Sequence, residues 1–226
     1  MTERHKNNSP LIKDIIIGMS DGLTVPFALT AGLSGALHTN QLIIVSGLAE
    51  IAAGCISMGL GGFLAGESEV DHYNTALKQE YSEIETVPEL ELKEVEEALT
   101  AIGVEPDLSK AVALQISGNK DNWANFMMQM ELKLEKPVEN RARMSALTIA
   151  ASYLVGGFIP LFPYFITNTN QSGLYLSCTV TIFALMVFGF LKSKFTGQNL
   201  ITGTLKVASI GIIAAAAAFL LAKAVS

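Results

Sequence analysis

The chain has 226 residues, 50% of them hydrophobic, with a mean hydropathy of +0.41 and a net charge of −6. This composition is too apolar for a typical soluble domain of this length, and an acidic chain gives no reason to expect a nucleic-acid partner. The two cysteines, Cys55 and Cys178, stand alone in apolar segments, which excludes a disulfide framework and a CxxC redox or metal site.

The hydrophobic residues are clustered in five runs, each with roughly the 20 residues that a helix needs to cross about 30 Å of hydrocarbon. We therefore predict an all-α polytopic membrane protein with five transmembrane helices. The runs cover residues 11–37, 42–66, 145–167, 173–191 and 200–222. The first run is too long for a signal peptide, has Asp21 near its middle and lacks a convincing small-x-small cleavage site.

The charged residues are concentrated between the second and third runs. Residues 67–144 hold 17 of the 21 acidic residues and 8 of the 15 Lys and Arg residues, a net charge of about −9, while the rest of the chain carries about +3. The sequence therefore predicts three parts: residues 1–66 with the first two spans, a soluble helical insert at 67–144, and residues 145–226 with the last three spans.

Two carboxylates lie deep in the first two predicted spans. Asp21 is near the middle of span one, and Glu50 is about a third of the way into span two. A carboxylate in hydrocarbon is costly and commonly faces a bundle interior or an ion pathway. Because no Lys or Arg lies at a comparable depth, we expect protons, cations or water to compensate the charge. A structural hydrogen bond is the alternative, and Asp14, near the start of span one, has a simpler interfacial interpretation.

Neighbouring residues favour a metal pathway past these carboxylates. Pro26 interrupts span one after Asp21 and frees backbone carbonyls that can help to coordinate a cation. On span two, Glu50, Gly54 and Met58 recur every four residues, so a carboxylate and a thioether share one face. Small residues that permit close helix approach, within the chain or across a dimer, are Gly18, Gly22, Gly47, Gly54 and Gly61.

The insert is expected to be a compact helical hairpin or three-helix unit. Span two has no stop signal before Pro88, which predicts one long helix that continues for about five turns beyond the membrane. Pro88 then begins a new helix. A short helix capped by Asp107 follows, and a last helix at 121–135 is capped by Asn119 or Asp121.

Metal-ligating side chains in the insert recur at spacings of three or four residues, which places each group on one helical face. The groups are Glu80 with Glu83, Glu91 with Glu94, and Met127 and Met128 with Glu131. Carboxylates together with thioethers suit a late first-row divalent ion better than Ca²⁺ or Mg²⁺. The alternative is that the glutamate pairs form solvated faces and the methionines belong to a hydrophobic core.

Basic residues mark alternate loops. Lys and Arg occur in the N-terminus, at the end of the insert and in the 192–199 loop, whereas the loops at 38–41 and 168–173 have none. The positive-inside rule therefore predicts that the N-terminus and the 67–144 domain are cytoplasmic and that the C-terminus lies on the other side.

Several stretches make the sequence resemble the vacuolar iron transporter family, from about residue 11 to the C-terminus. They are DIIIGMSDGLTVPFALTAGLSGA, AEIAAGCISMGLGGFLA, SEVDHY, FMMQMELKLEKP and GGFIPLFPY. The resemblance implies five transmembrane helices, with a cytoplasmic metal-binding domain between the second and the third. It also implies a homodimer that moves Fe²⁺, and often Mn²⁺, out of the cytosol in exchange for protons. The membrane would be vacuolar in a eukaryote and the plasma membrane in a bacterium.

The resemblance also implies roles for residues that match the family's motifs. It assigns the transport pathway to Asp21, Glu50 and Met58, with Asp14 at the cytoplasmic entrance. It assigns the cytoplasmic metal site to Glu80, Glu83, Glu91, Glu94, Met127, Met128 and Glu131. One position departs from the pattern, since Pro10 stands where an acidic residue is expected, which weakens the entrance role. We expect the insert to collect cytosolic metal and feed the pathway.

Two other classes of protein are open alternatives. A membrane-anchored metal-sensing or metal-buffering protein would use the insert as its receptor, but an anchor gives no reason for polar groups deep in the spans. A membrane ferroxidase would be an enzyme, and the Glu-x-x-His pairs of a di-iron bundle are missing from the sequence. We therefore predict a proton-coupled transporter of Fe²⁺ and Mn²⁺ without a catalytic cofactor, and not an enzyme.

Overall fold

The computed structural model of the protein describes residues 10–36 and 39–225. All regular secondary structure in this part of the chain is helical, which confirms the predicted all-α class. The helices, numbered along the chain, are α1 Pro10–Ala36, α2 Asn40–Thr86, α3 Pro88–Ala101, α4 Pro106–Ser117, α5 Lys120–Met130, α6 Arg141–Ile166, α7 Asn170–Thr196 and α8 Leu200–Val225. Arg4 and Lys6 of the N-terminus and His38 of the first predicted loop lie outside the described residues, whereas Lys13 lies in α1.

Five helices, α1, α2, α6, α7 and α8, are long and apolar enough to cross a membrane, as predicted. Their ends differ from the hydropathy limits: α6 begins at Arg141, and α7 extends beyond 173–191 in both directions. Hydropathy marks only the part of a helix that suits hydrocarbon, whereas backbone hydrogen bonds continue into polar turns. The first turn of α6 begins with a polar residue, Arg141, whose Nε donates to Glu69 Oε2 at 3.1 Å.

Helix α1 continues through Pro26 without interruption, which corrects the expectation that this proline breaks span one. A proline inside a helix removes one N–H donor, but the helix can continue when packing holds it in place. Here the ring of Pro26 lies against α6 at Gly157, where an added Cβ would come within 3.2 Å of Pro26 Cγ.

The described residues form two compact units. We call them the membrane unit, which comprises the residues up to 64 and those from 142, and the acidic unit, which comprises residues 65–141. The membrane unit contains α1, the first half of α2, and α6 to α8. The acidic unit contains the end of α2 together with α3, α4 and α5.

Close packing in the membrane unit depends on glycines where α1 meets α6. A Cβ on Gly22 would lie 2.8 Å from Tyr153 Cα and 3.0 Å from its carbonyl carbon, and Gly156 approaches the Gly22 backbone equally closely. Gly18 lies similarly against Ile149. Because backbones can approach this closely only without side chains between them, the small face of α1 is used for packing within the chain.

A network of hydrogen bonds joins four helices where α1 and α6 end and α2 and α7 begin. The buried Tyr164 hydroxyl pairs with Ser34 Oγ at 2.8 Å. Asn40 Nδ2 donates to the carbonyl oxygens of Tyr164 and Thr167, at 3.2 and 2.7 Å. Asn170 Nδ2 donates to the Ser34 carbonyl at 3.0 Å. These bonds satisfy polar groups at the helix ends and fix the four helices to one another.

The acidic unit has a hydrophobic core of its own. Its buried members are Ile84, Val95, Leu99, Ala113, Trp123, Ala124 and Met127. They come from all four helices of the unit, at the three- and four-residue spacings of amphipathic helices. Pro88 starts α3 as predicted, because a proline at the first position loses no helical hydrogen bond.

Two local predictions for the acidic unit are wrong. Asp107 lies in the first turn of α4, and the N-cap position is Glu105, directly before Pro106. The last helix ends at Met130 and does not run to residue 135. The reason is that Lys133 adopts a positive φ of 53°, and the N–H groups of residues 132 and 134 turn back to the carbonyls of Met127 and Met128. Asn119, one of the two predicted caps, does cap α5.

Candidate metal sites

The end of α2 and the start of α3 bring three predicted metal ligands together. One carboxylate oxygen from each of Glu80, Glu83 and Glu91 lies within 4.8 Å of the other two. Two oxygens on one divalent ion, with metal–oxygen bonds of roughly 2.0–2.6 Å, are at most about 5 Å apart, so the spacing fits a single ion. The cluster joins ligands from two helices, which helical periodicity alone does not predict.

The turn between α2 and α3 makes this meeting possible. The Val87 N–H donates to the Glu83 carbonyl at 2.8 Å, and the Glu91 N–H donates to the Val87 carbonyl at 3.2 Å. Pro88 prevents α2 from continuing as a helix with the same axis. The chain therefore reverses within a few residues, and Glu91 on the first turns of α3 comes back to face Glu80 and Glu83.

Two of these carboxylates are buried and incompletely paired. Glu80 is 4% exposed and Glu91 is 3% exposed. The Oε2 atom of each is buried without a hydrogen-bond partner among the described residues. A buried, unpaired carboxylate oxygen costs free energy, so it is expected to hold a proton or a cation.

The electrostatics of the cluster agree with that expectation. The pKa of Glu80 and the pKa of Glu91 are each raised to about 7. Burial is the main cause, and like charges add to it, first Glu131 for Glu80 and first Glu94 for Glu91. Partial desolvation, followed by the charges of Glu94 and Glu83, raises the pKa of Glu131. The five predicted glutamates therefore form one electrostatically coupled group.

The two predicted methionine ligands are buried in α5. Met127 is 0% exposed and belongs to the hydrophobic core of the acidic unit, where Trp123 and Val95 are also members. Met128, 1% exposed, follows it on the helix. Met127 is therefore a member of the hydrophobic core, and its role as a metal ligand stays a prediction. Glu131 directly follows α5, and its N–H donates to the Met127 carbonyl at 3.0 Å.

A second site lies in the membrane unit around Glu50. The Tyr153 hydroxyl of α6 donates a hydrogen bond to Glu50 Oε1, while Glu50 Oε2 is buried without a partner among the described residues. A Cβ on Gly54 would collide with the Tyr153 ring, so this glycine makes room for the ring one turn from Glu50. Asp21 is half-buried, next to the Gly22 backbone on which Tyr153 packs.

The remaining predicted pathway residues lie in the same unit at different depths. Met58 is half-buried, two turns along α2 from Glu50. Asp14 is only 3% exposed, so protein buries it near the start of α1. It lies one turn before Gly18, where α1 packs closely on α6.

Tyr153 is the functional candidate that sequence reasoning missed. It is 103 residues from Glu50 in the chain. The sequence instead predicts that protons, cations or water compensate the charge of Glu50. The available signal was a tyrosine in the middle of an apolar span, flanked by the small residues that close packing needs. A buried tyrosine hydroxyl normally finds a hydrogen-bond partner.

The fold and these two sites define a helical membrane protein with carboxylates both in its spans and in an acidic helical unit. The VIT family model matches residues 12–223, and the chain belongs to this family. It is 50% identical over 224 residues to "Vacuolar iron transporter 1" of Arabidopsis thaliana, an alignment that covers 99% of this chain and 90% of the relative.

Two further relatives extend the comparison. "Vacuolar iron transporter" of Centaurea cyanus is 52% identical over 221 residues, which cover 98% of this chain and 90% of that protein. "Protein CCC1" of Saccharomyces cerevisiae is 37% identical over 223 residues, which cover 94% of this chain and 68% of the yeast protein.

Proposed function

We propose that this protein is a proton-coupled transporter that moves Fe²⁺, and also Mn²⁺, out of the cytosol. The observation that carries the proposal is Glu50, an intramembrane carboxylate. One of its oxygens is bonded to Tyr153, and the other has no partner among the residues that the structure describes. Such a group can exchange a proton for a metal ion. The family relationship supports iron as the substrate, because the plant relatives are named as vacuolar iron transporters.

In this proposal Asp21, Glu50 and Met58 line the metal pathway, and Asp14 lies at its entrance. Two carboxylates and a thioether offer both hard and softer ligands, which suits Fe²⁺ and Mn²⁺. No Lys or Arg lies in α1 beyond Lys13 or in α2 before Lys78. A cation that enters the pathway therefore meets negative charge and no competing positive side chain from these two helices.

The acidic unit would bind metal on the cytosolic side before transport. The proposed ligands are Glu80, Glu83, Glu91, Glu94, Met127, Met128 and Glu131. One carboxylate oxygen from each of the first three already lies within 4.8 Å of the other two. A cytosolic position is supported by the basic residues at the end of the insert and in the 192–199 loop. The membrane would be the vacuolar membrane in a eukaryote and the plasma membrane in a bacterium.

We also propose that the transporter works as a homodimer. Asp21, Glu50 and Met58 are each only half-buried in the single chain. Polar side chains in hydrocarbon are expected to be enclosed by protein or water. A second copy packed on this face would complete the enclosure of the pathway.

Transport is tested with the full chain in proteoliposomes, recording Mn²⁺ or Fe²⁺ uptake together with internal pH. We expect metal uptake to be accompanied by proton movement in the opposite direction, and both to be lost in Asp21→Asn. The matched control is Asp107→Asn, the same chemical change at an exposed position of α4. Metal flux without proton movement would refute the antiport, and wild-type flux in Asp21→Asn would refute its role in the pathway.

Metal binding by the acidic unit is tested separately by calorimetry on the full chain in detergent. Glu80→Gln should weaken Mn²⁺ binding at least about tenfold, because it removes a buried charged ligand whose loss is worth more than about 1.4 kcal/mol. Glu89→Gln, at an exposed position in the first turn of α3, is the control and should bind as wild type. If both variants bound Mn²⁺ equally well, the assignment of a metal site to the acidic unit would be refuted.

One observation favours a metal-sensing or metal-buffering protein as the second candidate. The cluster of Glu80, Glu83 and Glu91 lies wholly inside the acidic unit, so it can bind metal without any help from the spans. The two candidates differ in the liposome experiment. A sensor or buffer would bind Mn²⁺ in calorimetry and move none across the membrane.

A further inference from the structure

An apolar groove lies on the membrane unit between α1, α7 and α8. Its volume is about 360 Å³, and all of the surface that lines it is apolar. Phe27 and Ala31 of α1 form its floor with Ala215 of α8, and Leu174 and Cys178 of α7 pack beside them. Because residues of three helices line this groove, an acyl chain can lie along it.

The groove continues into a polar mouth at the end of the bundle where α1 ends and α7 begins. A second cavity of about 430 Å³ shares Leu174 and Phe219 with the groove. The polar residues that line this mouth are Ser34, Thr169, Asn170, Gln171 and Tyr175. Of these, Thr169, Gln171 and Tyr175 are exposed, and Tyr175 is 64% exposed. Tyrosine commonly lies at the level of lipid headgroups.

The dimensions match one leaflet of a bilayer. The stretch of α7 from Leu174 to Ile182 lines the groove and rises about 12 Å at 1.5 Å per residue. Half of the hydrocarbon core of a bilayer is about 15 Å thick. We therefore expect the polar mouth to lie where the acyl chains end and the headgroups begin.

The charges around the mouth suit a phosphate. The chain has no Asp or Glu between residues 22 and 49 or after residue 139, so no carboxylate from α1 beyond Asp21 or from α6 to α8 opposes an anion there. A phosphodiester accepts hydrogen bonds from hydroxyl and amide groups, and Thr169, Gln171 and Tyr175 present such groups at the exposed part of the mouth.

From these observations we propose that the membrane unit binds one phospholipid molecule, with an acyl chain in the groove and the phosphate at the polar mouth. A second copy of the protein is a less suitable occupant, because the half-buried polar side chains that need a protein partner lie elsewhere. Met58 and Glu50 are on α2, which contributes no residue to the groove, and Asp21 of α1 is not among the residues that line it. The lipid would fill the space between α1, α7 and α8 and hold the three helices in register.

The proposal is tested by native mass spectrometry of the full chain released from phosphatidylcholine nanodiscs. We expect one phospholipid to remain on each wild-type chain. Ala216→Trp, which fills the groove from α8, should reduce the occupancy at least tenfold. Ile213→Trp is the control, because Ile213 is 67% exposed on the same helix and does not line the groove, and it should retain the lipid. Equal retention in both variants would refute the site.

A second measurement needs no substitution. Cys178 lines the groove and Cys55 lies on α2 outside it, so their rates of reaction with a small maleimide can be compared in the detergent-solubilised wild-type protein. Added phosphatidylcholine should slow the reaction of Cys178 at least several-fold and leave Cys55 unchanged. No protection of Cys178 would overturn the proposal. So would protection that follows protein concentration in place of lipid, because that result would place a second copy in the groove.

Discussion

At the scale of single residues, the two carboxylate sites differ in how negative charge is tolerated. In the membrane unit, Glu50 receives one hydrogen bond from a neutral tyrosine. In the acidic unit, Glu80 and Glu91 are buried among other carboxylates, and their pKa values rise to about 7. Within the described part of the chain, both arrangements leave a carboxylate oxygen without a protein partner. Each carboxylate is therefore expected to hold a proton or a cation.

The raised pKa values predict how metal binding depends on pH. Below about pH 7 the carboxyl groups of Glu80 and Glu91 hold protons that a cation must displace, and Glu83, Glu94 and Glu131 add to the same negative field. We expect the affinity for Mn²⁺ to fall by up to about tenfold per pH unit for each proton displaced. Calorimetry at pH 6 in buffers of different ionisation enthalpy measures the proton release. Binding without proton release at pH 6 would contradict the assignment.

Without metal, the same groups should make the acidic unit less stable as the pH rises. The pKa of glutamate in an unfolded chain is about 4.3, so between this value and about 7 the folded protein binds more protons than the unfolded chain. The free energy of unfolding therefore falls as the pH rises through this window and levels off above it. Hydrogen exchange of α3, corrected for the intrinsic pH dependence of exchange, should be slower at pH 5 than at pH 8.

Removal of the Tyr153 hydroxyl should impair transport. Tyr153→Phe leaves Glu50 Oε1 without its donor, and an unsatisfied buried acceptor costs about 1–3 kcal/mol. We expect the rate of Mn²⁺ uptake into proteoliposomes to fall by about tenfold or more, with the fold retained. Tyr81→Phe is the control, because its hydroxyl also donates to a carboxylate, that of Asp121, but in the acidic unit. Unchanged uptake in Tyr153→Phe would mean that the bond is only structural.

At the scale of helices, contact between α1 and α6 depends on the absence of side chains. Gly22 lies against the Tyr153 backbone, so the close approach also sets the position of the Tyr153 ring relative to Glu50. The α2 helix approaches the same ring at Gly54. Packing and the site are therefore linked, because a shift of α6 moves the donor away from its carboxylate.

This packing predicts an asymmetry between two glycines. In Gly22→Ala the added methyl group meets backbone atoms 2.8–3.0 Å away that have no freedom to move aside, so the thermal stability of the membrane unit should fall. Gly61→Ala adds the same methyl group where nothing lies within 4 Å, and it should be neutral or slightly stabilising. Thermal unfolding in detergent, followed by circular dichroism, measures both variants. Equal melting temperatures would contradict the close approach.

At the scale of the whole molecule, the chain combines two units whose surfaces suit different solvents, hydrocarbon for the membrane unit and water for the acidic unit. The membrane unit presents apolar residues outward, among them Ile201 and Leu221, which are 73% and 70% exposed. In water this surface would cause aggregation, whereas in hydrocarbon it is neutral. The acidic unit instead has a hydrophobic core inside and most of its carboxylates outside, as a soluble domain has.

Metal should therefore stabilise one unit selectively. At a Mn²⁺ concentration about 100 times the dissociation constant, binding adds roughly 2.7 kcal/mol to the folded state. Exchange of core amides in α2 near Glu80 and in α3 should slow by up to about 100-fold if they exchange only when the acidic unit opens. Amides of α7 and α8 should not change. Glu80→Gln should abolish the effect, and equal slowing in all helices would indicate that metal acts elsewhere as well.

The sequence by itself was sufficient to predict the five long apolar helices, the acidic segment between the second and the third, and the pairing of Glu80 with Glu83 on one helical face. These features depend on residues within one or two turns of each other, where hydropathy and helical period act directly. The family resemblance was also visible in motifs such as DIIIGMSDGLTVPFALTAGLSGA, and the family match over residues 12–223 confirms it.

Only the tertiary structure decided which distant residues meet. It brings Glu91 to Glu80 across the turn at Pro88, places Met127 in the core of the acidic unit, and pairs Tyr153 with Glu50 over 103 residues of sequence. Such contacts depend on where glycines let backbones approach and on how far each helix continues before it ends. Those quantities are set by packing between helices, which no local pattern of side chains records.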